Sequence, residues 1–431
     1  MKIAIYTLGC KVNQYESASL MEIFHRQGHE IVDIPYADLF IVNTCTVTHK
    51  AAYECRSLIR KFIKTSPDAI CVVAGCYPQV TREELLKIKG IDYLIGHSEK
   101  AIFPEILPYF KKQSKTKVMI GDPSSHYTLT SFPPPRHLQR TRAYLKIQDG
   151  CNSFCSYCII PYARGHSRSL PLDLVLKRLD CIAKSDFKEV VLTGIHLGAY
   201  GKDLKSPVNF PYLLNVIKEN DFPFRIRLGS LNPLEITTDL IELFSNWKNL
   251  CPHLHISLQS GSNKILKKMN RPYSVDLFKK LVTELTNKIQ GLAIGVDIIA
   301  GFPGESEKDF KETYRLLEGL PVAYFHIFPF SERKGTKATQ MKDKIPREEI
   351  KRRTHLLRKL DAIKRRAFRY HNLDSIVRVL VEKRHTNGYL KGYSENYLPV
   401  CIKGEDELKN KIVKVKLLEL KDKAVYGEIV N

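Results

Sequence analysis

The sequence predicts an α/β protein of three parts: an N-terminal open parallel-sheet domain, a central partial (βα)6 barrel and a small C-terminal OB-like β-barrel. Three observations predict it. Apolar β-rich runs alternate with helical stretches near the N-terminus, the alternation resumes on a longer scale after a proline-rich segment, and the C-terminal residues form only short strands with turn signals. A length of 431 residues corresponds to about two to four domains. The expected boundaries are 1–130, a linker at 131–141, 142–370 and 371–431.

The first domain is predicted from three strand-like runs, KIAIYTL, DLFIVNT and AICVVAG. Helical stretches at 14–27, 51–64 and 82–89 follow them. Strand–helix alternation implies parallel strands with right-handed crossovers, and therefore an open doubly wound sheet. The proline-rich segment SFPPPRHLQR interrupts regular structure and is interpreted as a linker.

The central part is predicted to contain six βα units, fewer than a full eight-fold barrel has. Its expected strands are 143–148, 189–194, 225–229, 254–259, 293–299 and 323–328. A long helix is expected at 346–370. Its predicted apolar face consists of Leu356, Leu360, Ile363 and Ala367. The remaining residues read as short strands and predict the small OB-like barrel.

The charge of the chain indicates its partner. With 68 Lys+Arg against 46 Asp+Glu the formal net charge is +22, and residues 341–370 carry 12 basic against 4 acidic side chains. Such a surplus favours a polyanionic partner such as a nucleic acid. No apolar run is long enough for a membrane span, and the N-terminus lacks the pattern of a signal peptide. A cytoplasmic location is therefore expected, with no membrane partner.

Three of the 11 cysteines, Cys151, Cys155 and Cys158, lie together in DGCNSFCSYC, directly after the first barrel strand. In the absence of an export signal, cysteines are metal ligands, catalytic thiols or buried thiols more often than disulfides. Zinc is one alternative, but a structural zinc site needs four ligands and this loop offers three. Iron–sulfur clusters are held by thiolates, and three ligands on a four-iron cluster leave one iron open for chemistry.

This C-x3-C-x2-C loop, at the C-terminal end of a barrel strand, resembles that of the radical S-adenosylmethionine superfamily. The resemblance implies that the open iron binds S-adenosylmethionine. Other strand ends would form the cofactor pocket with Arg271, and Glu305 is a further charged candidate beside it. The residues expected to contact the cofactor are Tyr157, Gly194, Ser230, Gln259, Arg271, Gly301 and Phe328.

The cysteines Cys10, Cys45 and Cys76 each end one predicted strand of the first domain. Ligands of open parallel sheets bind outside the carboxyl ends of the strands, so three thiols placed there can converge on one site. From spacing alone, convergence and three unrelated buried thiols remain open alternatives.

Further motifs resemble one branch of that superfamily, the methylthiotransferases. They are TLGCKVNQYES, IVNTCTVT and VVAGCYPQ in the first domain and QDGCNSFCSYCIIPYARGHSRS, HISLQSGSNKILKKMNR, GFPGESEKDF and HIFPFSERKGTKA in the barrel. The terminal β module resembles the TRAM domain of RNA-modifying enzymes. The resemblance implies two iron–sulfur clusters, both of the [4Fe-4S] type. Cys151, Cys155 and Cys158 would hold the S-adenosylmethionine-binding cluster, and Cys10, Cys45 and Cys76 an auxiliary cluster that carries the sulfur.

The resemblance also implies the reaction. One S-adenosylmethionine would methylate a sulfur associated with the auxiliary cluster, and a second would be cleaved reductively. The resulting radical would take hydrogen from carbon 2 of an adenine, which would receive the methylthio group. Such chemistry requires both clusters to face a shielded cavity between the first two domains. An electron donor such as a flavodoxin or ferredoxin is expected.

Three branches differ in substrate. TLGCKVNQYES is most similar to the branch that acts on N6-threonylcarbamoyladenosine at position 37 of tRNA. The isopentenyladenosine branch has TYGC followed by QMN, and the branch that modifies a ribosomal-protein aspartate has GCPKN followed by VDSE. The positive charge favours tRNA over a basic protein. A non-catalytic RNA-binding protein with structural metal sites is the alternative from another functional class.

Overall fold

The computed structural model describes residues 1–123, 129, 132–135, 141–205, 207–385, 388–421 and 423–430. Its N-terminal part is a six-stranded parallel sheet of order β2-β1-β3-β4-β5-β6. The strands are β1 (Lys2–Thr7), β2 (Glu30–Ile31), β3 (Leu39–Thr44), β4 (Ile70–Gly75), β5 (Tyr93–Ile95) and β6 (Lys117–Met119). The helices are α1 (Lys11–Arg26), α2 (His49–Thr65), α3 (Cys76–Leu86) and α4 (Phe103–Ile106).

The open parallel sheet is confirmed, with differences in its elements. The three predicted strands are β1, β3 and β4, whereas β2, β5 and β6 were missed because two or three residues are too short for a periodic signal. The third helix begins at Cys76, before the predicted start, but non-helical backbone at Thr81 (φ −138°, ψ 49°) interrupts it, so its second part begins at residue 82 as predicted. Gly75 takes a φ of +101° directly before Cys76, and a Cβ would lie 2.7 Å from Oδ1 of Asn43. That turn carries β4 directly into α3.

The central part is a barrel of six parallel strands, as predicted. The strands are β7 (Arg142–Lys146), β10 (Glu189–Thr193), β11 (Arg225–Leu228) with β12 (Ser230–Leu231), β13 (His253–Gln259), β14 (Ala293–Ala300) and β15 (Tyr324–Pro329). The wall consists of the sheets β11-β10-β7 and β12-β13-β14-β15. A short antiparallel pair, β8 (Gln148–Asp149) and β9 (Arg168–Ser169), flanks the cysteine loop. Apolar side chains of alternate strand positions pack outward against the helices, so the other positions face the barrel interior.

Helices follow the strands of this wall, and the longer ones among them cover its outside. They are α5 (Ile160–Arg164), α6 (Leu172–Ala183), α7 (Phe210–Glu219), α8 (Thr238–Asn246), α9 (Asn263–Lys268), α10 (Val275–Lys288), α11 (Glu307–Gly319) and α12 (Arg347–His371). No described helix has the length and apolarity that crossing a membrane requires.

The long helix α12 is present, but its predicted apolar face was wrong in part. Ile363 is 61% exposed and Ala367 is exposed as well. The buried face consists of Arg353, Thr354, Leu357 and Leu360. Arg353 is buried because its Nη1 donates to Oε2 of Glu305 at 2.7 Å, and an apolar pattern cannot reveal such a charged contact.

The C-terminal part is a closed five-stranded barrel of order β16-β17-β18-β20-β19, as the OB-like prediction requires. Its strands are β16 (Ile376–Arg384), β17 (Tyr389–Ser394), β18 (Pro399–Lys403), β19 (Ile412–Lys421) and β20 (Ala424–Ile429). It closes the amino end of the central barrel. Arg227 Nη1 donates to the carbonyl of Glu395 at 2.9 Å, and Arg142 Nε donates to Oε1 of Glu382 at 2.7 Å.

The predicted linker lies partly outside the described residues, namely at Ser131 and 136–140. Residues 132–135 form no helix or strand and pack along α1. The hydroxyl of Tyr15 donates to the carbonyl of Phe132 at 2.8 Å, and Ser19 donates to the carbonyl of Pro133 at 2.5 Å. The positions of the domain boundaries stay predictions.

A buried ion network joins α1 to the barrel. It consists of Glu16, His97, Lys100, Lys146, Asp149 and Arg164, whose side chains are all fully buried. Glu16 accepts from Lys146 Nζ at 2.7 Å, and Arg164 Nη1 donates to Oδ1 of Asp149 at 2.9 Å. Burial alone would raise the pKa of both carboxyls, but the surrounding cations hold each pKa well below its ordinary value. Both carboxylates are therefore charged, and the network fixes the two parts together.

Replacing Arg164 tests this junction. Arg164→Met leaves Glu16 and Asp149 buried with one cation fewer, and breaking a buried ion pair costs about 3–5 kcal/mol. We expect the free energy of unfolding in urea to fall by about 3 kcal/mol. The fluorescence of Trp247, the one tryptophan of the chain, reports the unfolding.

Arg352→Met is the matched control, because it removes an arginine whose side chain is 45% exposed and whose ion pairs lie at the surface. Such pairs contribute about 0–1 kcal/mol. Equal losses in the two variants would contradict a special role of the buried ion network.

Candidate active site

The loop that carries Cys151, Cys155 and Cys158 connects β8 to α5 at the carboxyl end of the barrel. Gly150 precedes it with a φ of +70°, and a Cβ at this position would lie 1.9 Å from the carbonyl oxygen of His166. Only glycine allows this approach. Backbone hydrogen bonds then shape the loop, from the Cys151 N–H to the carbonyl of Gly165 at 3.1 Å and from the Cys158 N–H to the carbonyl of Cys155 at 2.9 Å.

Two cationic side chains contact the sulfur atoms of this loop. His196 Nδ1 lies 3.5 Å from Sγ of Cys151, and Arg271 Nη1 donates to Sγ of Cys155 at 3.2 Å. Burial lowers the pKa of His196, but its hydrogen bonds to Cys151 and Glu235 outweigh burial and raise the pKa to about 10. Burial raises the pKa of Cys151, but the hydrogen bond from His196 outweighs it and lowers the pKa. The site therefore favours thiolate at Cys151.

The three N-terminal cysteines follow β1, β3 and β4, which are adjacent in the sheet. Because the strands are parallel, all three thiols lie at the same edge. A Cβ on Gly9 would come within 3.1 Å of Sγ of Cys45, so the loop of Cys10 lies directly against Cys45. Burial and the neighbouring thiols Cys76 and Cys10 raise the pKa of Cys45 to about 12. The structure thus brings the three together, which spacing alone left open.

Two buried asparagines hold these loops in place. Asn13 Nδ2 donates to the carbonyls of Leu8 at 2.9 Å and Thr44 at 3.0 Å. Asn43 Nδ2 donates to the carbonyl of Asn13 at 3.1 Å. The loops of Cys10 and Cys45 are therefore tied to each other through α1.

A cavity of about 160 Å³ is lined by residues of the loop that follows Cys45 and of the loop that carries Cys158. Its N-terminal wall is formed by Val47 and Thr48, which closely follow Cys45, and its opposite wall includes Cys158. The other lining residues come from the cysteine loop and the barrel strand ends: Tyr157, Ile159, Ile160, Gln259, Asp297, Ile299, Phe328, Pro329, Phe330 and Ser331.

Of the residues expected to contact a cofactor, some line the cavity or contact the cysteine loop, and one does neither. Tyr157, Gln259 and Phe328 line the cavity, and Arg271 contacts Cys155. Ser230 hydrogen-bonds Nδ1 of His255 at 2.7 Å, deeper in the barrel.

Protein contacts account for the two glycines and for Glu305. A Cβ on Gly194 would lie 2.9 Å from Oε1 of Gln148, and one on Gly301 would lie 2.4 Å from Cγ1 of Ile350 in α12. Glu305 accepts the Gly301 N–H and pairs with Arg353. Close packing therefore explains why glycine occupies positions 194 and 301. A role of Gly194 and Gly301 in cofactor binding stays a prediction.

Sequence reasoning missed several polar residues of the site. His196 follows β10 in the stretch LTGIHLGAYG and could have been noticed there as a titratable side chain at a strand end. His255, Asp297 and His326 lie on the inward face of β13, β14 and β15. For the buried ion network, the sequence offered one indication: the polar residues Asn13 and Glu16 lie in α1 among apolar residues that are buried.

The donor sets fit iron–sulfur clusters. Each group offers three thiols, and thiolates are the ligands of such clusters. Around one tetrahedral zinc, sulfur atoms at about 2.3 Å from the metal lie about 3.8 Å apart. Among the described residues, which include all six cysteines, neither group has its three sulfur atoms within 4.8 Å of one another. This wider spacing suits a cluster of several irons better than a single ion.

Three family models match the chain. The model described as Uncharacterized protein family UPF0004 matches residues 2–96, the Radical SAM superfamily matches residues 145–317, and the TRAM domain matches residues 373–430. The barrel and its cysteine loop thus define a radical S-adenosylmethionine enzyme.

Curated relatives span the chain. Threonylcarbamoyladenosine tRNA methylthiotransferase MtaB of Bacillus subtilis is 36% identical over 97% of this chain and 94% of its own length. A tRNA-2-methylthio-N(6)-dimethylallyladenosine synthase of Fusobacterium nucleatum is 34% identical over the full length of both. The radical S-adenosylmethionine methyltransferase TsrM of Kitasatospora setae, 14% identical, superposes with a TM-score of 0.59 over 78% of this chain and 76% of that chain, which shows the fold alone.

The chain belongs to the radical S-adenosylmethionine methylthiotransferase family. It is therefore an enzyme, a transferase, and the cofactors of its family are S-adenosylmethionine and [4Fe-4S] clusters.

Gly150→Ala tests the geometry of the cysteine loop. The new Cβ would meet the carbonyl of His166, so the loop must shift and its three thiols with it. We expect the iron and sulfide bound per chain after anaerobic reconstitution to fall by more than about a third, since a misplaced ligand weakens metal binding about 10–100-fold. The far-UV circular dichroism should stay unchanged.

Gly291→Ala is the matched control, because Gly291 has a similar φ of +68° but open space around its Cβ position. Both variants pay about 1–2 kcal/mol for the left-handed backbone. Equal iron loss in both would mean that backbone strain, and not the contact at Gly150, determines the loop.

Proposed function

We propose that the enzyme methylthiolates carbon 2 of N6-threonylcarbamoyladenosine at position 37 of tRNA, giving 2-methylthio-N6-threonylcarbamoyladenosine. The observation that carries the proposal is the cavity that touches both cysteine loops, through Val47 and Thr48 on one side and Tyr157 and Cys158 on the other. A base held there would touch both cysteine loops. Unpaired bases of RNA loops can be splayed out into such a cavity.

The cysteines divide into two roles in this proposal. Cys151, Cys155 and Cys158 would hold the cluster that binds S-adenosylmethionine, and Cys10, Cys45 and Cys76 the auxiliary cluster. When bound, these groups would supply reductive cleavage of S-adenosylmethionine and a transferable sulfur.

The side chains of the chain itself prepare the site. His196 lies against Sγ of Cys151 and lowers the pKa of that thiol, and Arg271 donates to Sγ of Cys155. Gln259 has a φ of +71° at the end of β13, a backbone conformation that non-glycine residues adopt rarely and that recurs at functional sites. Ile159, Ile299 and Phe328 give the cavity an apolar wall that excludes water from a reactive species.

A basic surface supports tRNA as the substrate. On α12, Arg358, Lys359 and Arg366 are exposed. Arg353 does not contribute, because it is buried against Glu305. These exposed basic residues belong to the helix that directly precedes the C-terminal barrel. Contacts of lysine and arginine with phosphates dominate affinity for nucleic acids. The cytoplasmic location and a flavodoxin or ferredoxin as electron donor stay predictions.

The choice of modified base rests on the motif TLGCKVNQYES and on the relatives of the threonylcarbamoyl type. Relatives named for dimethylallyladenosine match over the whole chain as well. Isopentenyladenosine in tRNA and the ribosomal-protein aspartate are therefore the alternative outcomes of the test.

The test compares two anticodon stem-loops that differ in the substituent at position 37, threonylcarbamoyl or isopentenyl. The reconstituted, reduced enzyme is incubated with each, and nucleosides are identified by mass spectrometry. We expect kcat/KM for the threonylcarbamoyl stem-loop to be greater by at least about 100-fold, since a site built for polar groups rejects an analogue lacking them strongly. Product on the isopentenyl stem-loop alone would overturn the proposed substrate.

Cysteine variants in the same assay separate the two groups of thiols. Cys151→Ala should abolish 5′-deoxyadenosine, whereas Cys45→Ala should form 5′-deoxyadenosine without methylthiolated product. Cys181→Ala, a cysteine on the outer helix α6, should retain both activities. If Cys151→Ala still cleaved S-adenosylmethionine, the assignment of the two groups would be wrong.

A further inference from the structure

Three side chains of the kind that bind metal ions converge inside the barrel, away from both groups of cysteines. They are His255 on β13, Asp297 on β14 and His326 on β15. In the parallel register, Asp297 is paired with His326. His255 is paired with Gly295, which lies two positions before Asp297 on the same face of β14. The three side chains therefore project into the barrel from one face of three adjacent strands.

The distances between their ligand atoms fit a single metal ion. Nε2 of His255 lies 3.4 Å and Nδ1 of His326 lies 3.5 Å from Oδ1 of Asp297. All three atoms lie within 4.8 Å of one another. Nitrogen and oxygen atoms bound at about 2.0–2.1 Å to a tetrahedral zinc ion lie about 3.4 Å apart. Both distances to Asp297 match this spacing.

Hydrogen bonding does not account for the arrangement. Hydrogen bonds between nitrogen and oxygen are about 2.7–3.2 Å long, and both distances to Asp297 exceed this range. His255 is 7% exposed, and its Nε2 makes no hydrogen bond to any residue that the structure describes. A buried polar atom without a partner costs free energy, which a bound ligand would recover. The unpartnered nitrogen therefore indicates a ligand at this position.

The other ring nitrogen of His255 is held by the protein. Ser230 is paired with His255 between β12 and β13, and its hydroxyl lies 2.7 Å from Nδ1 of His255. Histidines that bind a metal commonly hydrogen-bond through the nitrogen that does not bind it, which fixes the ring and its tautomer. Ser230 thus orients the ring and leaves Nε2 for the ion.

The site is open toward the cavity. Asp297 lines the cavity together with Ile299, which lies on the same face of β14. Three protein ligands leave one position of a tetrahedral ion free, as in catalytic zinc sites, where water or a substrate atom takes it. One carboxylate and two neutral imidazoles leave a divalent ion with a positive charge, so the free position suits an oxygen ligand.

We propose that His255, Asp297 and His326 bind a divalent transition-metal ion whose free coordination position faces the cavity. Two imidazoles and one carboxylate suit Zn²⁺ or Fe²⁺, whereas Mg²⁺ and Ca²⁺ prefer oxygen ligands alone. The absence of thiolates from this donor set separates the site from both iron–sulfur clusters. The inference does not depend on which adenosine the enzyme modifies.

The probe for the site is Zn²⁺ added to the anaerobically reconstituted enzyme, because such sites bind Zn²⁺ more tightly than Fe²⁺. X-ray absorption at the zinc edge detects zinc alone, so the iron of the clusters does not interfere. We expect about one Zn²⁺ per chain with nitrogen and oxygen neighbours at about 2.0–2.1 Å, including two imidazoles. Zinc bound by cysteines would instead show sulfur at about 2.3 Å.

Three variants test the assignment through the dissociation constant for Zn²⁺. His255→Phe should raise it by more than about 100-fold, since even the loss of a residue that orients a ligand costs about 10–100-fold. Ser230→Ala, which removes only the orienting hydroxyl, should raise it by about 10-fold. His355→Phe is the matched control, because His355 is exposed on α12, and it should change the constant by less than about 2-fold.

Iron, sulfide and circular dichroism are measured for every variant, to establish that the clusters and the fold are retained. If His255→Phe does not fold, the zinc spectrum of the unaltered enzyme and the effect of Ser230→Ala decide. Zinc with sulfur neighbours only, no zinc retained, or equal affinity in the unaltered enzyme and in the variants of His255 and Ser230 would each overturn the proposed site.

Discussion

The structure depends on one buried set of charges between the N-terminal sheet and the barrel. Glu16 on α1 pairs with Lys146 of β7 and with Arg164 of α5, and Arg164 also binds Asp149, two residues before Cys151. Such ions are costly to bury unless all are paired, so the network tolerates one arrangement of the two parts. That arrangement sets both cysteine loops beside one cavity. The network contains three cations, Lys100, Lys146 and Arg164, and two carboxylates, Glu16 and Asp149. Burial lowers the pKa of His97 to about 3, so His97 is neutral and the network has one excess positive charge. Arg164 also interacts with Cys10 and Cys76.

Much of the fold could be predicted because its signals are local. The strands β1, β3 and β4 are largely apolar runs, and the barrel strands are recognisable from their regular alternation with helical stretches. The parallel order of β1, β3 and β4 follows from the crossover helices, and it places Cys10, Cys45 and Cys76 at one edge. The spacing of Cys151, Cys155 and Cys158 needs no tertiary information at all.

The remainder depends on contacts between residues distant in sequence. Glu305 and Arg353 lie 48 residues apart, and their ion pair buries a charged residue of α12 outside the predicted apolar face. Gly301 follows a strand near the cavity, yet the side chain of Ile350 occupies the space that a Cβ would need. His196 contacts Cys151 from another strand end. Sequence patterns report periodicity and not partners, so these roles required coordinates.

In the proposed reaction, the 5′-deoxyadenosyl radical takes its hydrogen atom from carbon 2 of the position-37 adenine. Deuterium at this carbon traces the transfer, with 5′-deoxyadenosine and the nucleoside analysed together by mass spectrometry. We expect deuterium to appear in 5′-deoxyadenosine in proportion to methylthiolated product. Methylthiolated product accompanied by 5′-deoxyadenosine that contains no deuterium would contradict this transfer.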